Sequence, residues 1–161
     1  MRGPGPGPGR CPGPASGGVD RSRRPPAGSV PDVLTLEIDG SRVHDIPSFY
    51  DEINRVFMTG MDWQLGPSLD ALEDMLRGGF GALHGHEEAR VVWRDHAHSA
   101  AALGAETTRA QLLEKLAQPE RYDAALITRR LERLDVEGGP TYMDTVLEIF
   151  GDKPGLHLEL A

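Results

Sequence analysis

Apolar and polar positions alternate from Val33 to Ile38. Leu34, Leu36 and Ile38 are separated by Thr35 and Glu37, the two-residue period of a strand with one buried face. Asp39-Gly40 then signals a turn. The period changes at Phe49. Phe49, Ile53, Val56 and Phe57 recur at the interval of an amphipathic helix, with Ser48 as its predicted cap and Pro47 closing the turn before it. Residues 59–67 read as a loop. Ser68 is placed to cap a second helix, whose apolar stripe is Leu69, Leu72, Met75 and Leu76. Gly78-Gly79 ends it, because glycine enters the left-handed conformation at little cost. A loop over residues 80–88 follows.

Residues 89–94 predict a second strand. Val91, Val92 and Trp93 run together without a polar break, the pattern of a strand covered on both faces. Helical patterns follow over 95–103, 111–117 and 122–134, and Gly138-Gly139-Pro140 interrupts them. Met143, Val146, Leu147 and Phe150 then mark the inner side of a helix over 141–150. A last strand places Leu156, Leu158 and Leu160 in alternation with His157 and Glu159. Strands separated by helices pair in parallel through helical crossovers. The expected fold is therefore α/β, a small three-stranded parallel sheet packed against helices. No internal repeat is present.

Composition divides the chain. Residues 1–31 hold most of the prolines and almost no large apolar side chain, so they cannot bury enough surface to offset chain entropy. Their Gly-Pro alternation repeats every two residues, which is not the collagen period. They are expected to form a disordered tail ahead of one domain, 32–161. No apolar stretch of the kind found in a secretory signal or a membrane span is visible, and a cytoplasmic location is expected. Cys11 is the only cysteine and lies in the tail, so neither a disulfide nor a thiolate metal site is expected in the domain. The tail carries five arginines against one aspartate, so the chain's net charge of −8 leaves −12 for the remainder. A compact acidic domain repels nucleic acid and attracts basic proteins, although an acidic balance also serves plain solubility.

The second helix carries the chemistry. Asp70, Glu73 and Asp74 project from its polar side, and Asp70 and Asp74, four apart, share a face. Asp70 is in the first turn, where the helix dipole favours an acid, and Arg77 stands three residues beyond Asp74. Taken alone, this is the pattern of a solvated face.

The stretch Gly66-Pro67-Ser68-Leu69-Asp70-Ala71-Leu72-Glu73-Asp74-Met75-Leu76-Arg77-Gly78 resembles the barstar family in Gly66, Leu69, Asp70, Ala71, Leu72, Asp74, Leu76 and Gly78. The surroundings resemble it too. The first strand ends at Gly40, a helix starts near Pro47-Ser48-Phe49, Trp93-Arg94 ends the central strand, and Val146-Leu147-Glu148-Ile149-Phe150 precedes the last strand. The resemblance covers 33–103 and 141–161 and leaves about 104–140 as a helical insertion. It implies an intracellular inhibitor, monomeric when free, that blocks a basic, barnase-like ribonuclease. Asp70 and Asp74 would stand in for RNA phosphate before the enzyme's lysines and arginines. Further partner contacts are expected from Glu73, from the helix-bounding Gly66 and Gly78, and from Asp152 after the last helix. Trp63 and Phe80 flank the helix and, if exposed, would be apolar anchors beside the acids, with buried aromatic packing as the alternative. An aromatic pair that the family carries before the glycine is here Gln64-Leu65, and Phe80 is displaced one residue by Gly79. The alternative is a barstar-like interaction module with a partner other than a ribonuclease.

Other chemistry finds less support. His84/His86 and His96/His98 are two His-x-His pairs, which ligate zinc when further ligands converge, but one pair is in a loop and the other starts a helix. No cofactor or metal is expected. Two carboxylates also serve glycosidases, but those flank a cleft rather than share one helix face. No phosphate loop, dinucleotide fingerprint or Ser-His-Asp grouping is present, and no enzymatic activity is expected. Arg129, Arg130 and Arg133 read as a solvated face or a second interface.

Overall fold

Leu36 pairs with Val91, and Val91 with Leu158, in one parallel sheet of three strands. The structure is a computed structural model and describes Gly3, Gly9 and residues 33–161; the expected tail otherwise lies outside the described residues. Strand β1 (Leu34–Asp39) and strand β3 (Leu156–Leu160) flank β2 (Ala89–Arg94), giving the order β1-β2-β3. Helices α1 (Ile46–Phe57) and α2 (Leu69–Leu76) connect β1 to β2. Helices α3 (His96–Ala102), α4 (Ala105–Leu116), α5 (Ala124–Glu137) and α6 (Tyr142–Gly151) connect β2 to β3. The predicted parallel α/β architecture is the one observed.

Among the described residues the sheet is covered on one face only. Ala89, Val91 and Trp93 are buried, whereas Arg90 and Arg94 are exposed and Val92 is half-buried. Expectation and structure part here because Val92 completes an apolar run while lying on the open side, where β-branched residues still suit a strand. That side is charged: Arg94 meets Glu37 at 2.8 Å, and Arg90 pairs with Glu159 across β2 and β3.

On the covered face Trp93 is the centre. Its ring lies 5.9 Å from those of Phe49 on α1 and Phe150 on α6, and its indole N–H donates to Ser99 Oγ at 3.0 Å. Ser99 Oγ in turn donates to the Gly40 carbonyl at 3.2 Å. A Cβ at Gly40 would lie 2.6 Å from both Ser99 Oγ and the Asp95 carbonyl, so this turn admits only glycine without movement.

The helix starts that differ most from expectation are those of α1 and α4, while α5 runs three residues beyond its expected end. The cap of α1 is Asp45, whose carboxylate accepts from Ser48 N at 2.8 Å while Ser48 Oγ accepts from Asp45 N at 2.9 Å. Ser48 thus serves at the third helical position of a capping box, and Pro47 falls in the first turn, where its missing N–H is not needed. Helix α4 starts at Ala105, six residues before its apolar pattern, because its first turns carry mainly Glu106, Thr107, Thr108 and Arg109. With α5 it encloses a separate small core of Leu112, Ile127 and Leu134.

Candidate functional site

Helix α2 is held by its apolar side. Leu72, Met75 and Leu76 are buried against the main core, with α6 as the neighbouring helix. Ser68 Oγ accepts from Ala71 N at its start, as predicted. At its end Gly78 takes φ of +81°, and Lys153 donates from Nζ to the Arg77 carbonyl at 3.2 Å. A lysine at that end also meets the negative pole of the helix dipole.

With the inner side fixed, the acids face out. Asp70 and Asp74 are both exposed, and the Asp74 side chain retains 66% of its accessible surface. Glu73 pairs with Arg77, which also approaches Asp74 at 3.6 Å. All three of these groups are solvated, and ion pairs at such sites contribute little, so neither acid is locked. Among the described residues Asp70 has no ion-pair partner. Asp152 caps α6 across a shallow groove of about 340 Å³ whose other walls include Glu73, Leu76, Arg77 and Lys153. The groove brings Asp152 to the same side as Glu73, although 79 positions separate them.

The loop before α2 is pinned from α1. Asn54 donates from Nδ2 to the Leu65 carbonyl at 3.0 Å and accepts from Leu65 N at 2.6 Å, and Leu65 is buried. Trp63 therefore stays at the surface, 43% exposed, with its ring 4.9 Å from that of Phe80. The two aromatics predicted to flank the acidic helix meet each other. Gly66 is exposed, and its carbonyl accepts from Ser68 N at 2.8 Å.

Sequence reasoning missed Asn54 and Lys153. Lys153 acts on a residue 76 positions away, which leaves no local signal. Asn54 left a weak one, since asparagine is a poor residue for a helix interior. The histidine pairs do not converge. His84 lies beside the Gly78 carbonyl at 3.3 Å, His96 beside the Ala161 carbonyl at 3.1 Å, and His98 Nε2 is 3.3 Å from His44 Nδ1. Among the described residues no three His, Cys, Asp or Glu side chains cluster as metal ligands. The arrangement is a ridge of carboxylates with an apolar pair beside it, suited to binding cations.

The sequence model of the family described as Barstar (barnase inhibitor) matches residues 33–131. The chain belongs to the barstar family. The barstar match takes in Trp63, the whole of α2 and Phe80, and ends inside α5, so α6, β3 and Asp152 lie beyond it. No curated protein matches the chain. The barstar family is one of inhibitors, and the parallel three-stranded sheet with its helices is consistent with a barstar-like fold.

Proposed function

We propose that this chain is an inhibitor that enters and occludes the active site of a basic, secreted ribonuclease, acting within the cell that makes the enzyme. The observation that carries the reading is the outward pair Asp70 and Asp74 on a helix whose opposite side is buried. A ribonuclease holds RNA phosphate with lysines and arginines, and carboxylates presented on a fixed helix offer those cations the same charge without a scissile bond. Two acids one helical turn apart repel in the free protein, and meeting cations relieves that repulsion. Glu73 and Asp152 add charge along one edge. Trp63 and Phe80 supply an apolar contact beside the helix, and aromatics in such positions commonly dominate interface energies. Gly66 and Gly78 bound the helix without side chains that would hold a partner away.

No helix among the described residues is long and apolar enough to cross a membrane, which agrees with a partner met in solution. The test is inhibition of a basic ribonuclease of the barnase type by the full chain. Asp74→Ala is expected to weaken binding by at least about 2 kcal/mol, close to thirtyfold in Kd. Asp70→Ala acts in the same direction. Equal inhibition by the native chain and both variants rejects the site. Absence of inhibition by the native chain rejects the ribonuclease as partner and leaves the barstar-like interaction module.

A further inference from the structure

The cleft between α4, α5 and α6 has a charge that the rest of the domain does not lead one to expect. The domain carries twice as many acids as bases. Seven of its arginines, at 42, 55, 77, 90, 94, 109 and 133, are in ion pairs with carboxylates. Lys115 and Arg130 are not, and both line this cleft of about 290 Å³ together with Arg133. Lys115 is half-buried, and its ammonium lies 5.4 Å from the centre of the Tyr122 ring. Burial first and the neighbouring Arg130 second hold that ammonium below its ordinary range. The charge of Asp70 opposes these two with a smaller effect. Like charges left together in a concavity, in a protein with acids to spare, form a site for an anion.

The rest of the lining restricts which anion. Gln111 leaves its amide without a partner among the described residues, and Leu69, Leu112 and Pro140 form an apolar wall. Glu148 stands in the lining as an acceptor that repels a second negative group and receives a hydroxyl. The Thr108, Thr141 and Thr145 hydroxyls and the Tyr142 hydroxyl are already engaged. The volume is at the small end for ligand clefts, which run from about 300 to 1,000 Å³. We infer that Lys115 and Arg130 form a binding site for a small phosphomonoester with a hydroxylated organic body, the phosphate on the two cations and a hydroxyl on Glu148.

This site needs no ribonuclease, so it stands or falls apart from the inhibitor reading. The full chain, isotopically labelled, is titrated with ribose 5-phosphate and separately with inorganic phosphate, following backbone amides by NMR. Ribose 5-phosphate is expected to give saturable shifts around Gln111, Lys115 and Arg130 and to bind more tightly than inorganic phosphate. The double variant Lys115→Gln, Arg130→Gln is expected to weaken it at least about tenfold. Arg129→Gln, on the same helix but outside the lining, leaves it unchanged. Glu148→Gln is expected to tighten inorganic phosphate about threefold, a gain that loss of folding does not produce. No saturable shift at millimolar ligand, equal affinity for the two phosphates, or undiminished binding by the double variant overturns the inference.

Discussion

Buried polar side chains in this core are few and fully engaged. Glu52, almost without exposure, accepts from Asp39 N at 2.7 Å and from Arg55 Nε at 2.8 Å, which ties the end of β1 to α1. Tyr50 and Tyr142 share a hydrogen bond of 2.9 Å between hydroxyls, joining α1 to α6. Burial is the main cause that raises the proton affinity of both phenols above the ordinary range. In the unfolded chain they ionise near pH 10, while the folded pair keeps its protons. The stability held in those protons is complete below about pH 10 and is lost as pH rises beyond it. A double Tyr50→Phe, Tyr142→Phe variant is therefore expected to resist alkaline unfolding better than the native chain. Denaturant midpoints measured on either side of the tyrosinate transition check this. The single Tyr50→Phe, which leaves the Tyr142 hydroxyl buried and unpaired, is expected to lose about 1–2 kcal/mol at neutral pH.

At the scale of elements, α2 is eight residues long and too short to persist by itself. Its ends decide whether the acids are presented. Gly78→Ala forces a side chain into φ of +81° with only ordinary contacts around it, so the loss is conformational, about 1–2 kcal/mol in a chemical denaturation experiment. Local pattern made this helix legible, cap, stripe and stop together, because each signal lies within a few residues of the next. The same holds for β1 and β3. Legibility failed where the deciding partner was distant or the signal was ambiguous. Asp45 and Ser48 are both good caps, and only the backbone shows which one opens α1. Val92 extends an apolar run but points to the open side. The outward placement of the acids agrees with the periodicity, whereas the meeting of Trp63 with Phe80 and the tether from Lys153 depend on how α1, α2 and α6 pack.

Across the whole molecule, charge is the property with the longest reach. A remainder at −12 sets up a field that draws in a basic partner before any contact forms. Association with the proposed ribonuclease is therefore expected to slow steeply between low and physiological salt, while dissociation changes little. Stopped-flow measurements across ionic strength separate the two rates, and a salt-independent association rate would count against charge-guided docking. The chain's two tryptophans carry a different consequence. Trp93 is sealed between two phenylalanine rings with no exposure, whereas Trp63 stands open beside α2. They are built-in optical reporters of separate events. A water-soluble quencher reaches Trp63 and spares Trp93, so the quenchable emission follows occupancy of the α2 face and the protected emission follows the integrity of the core.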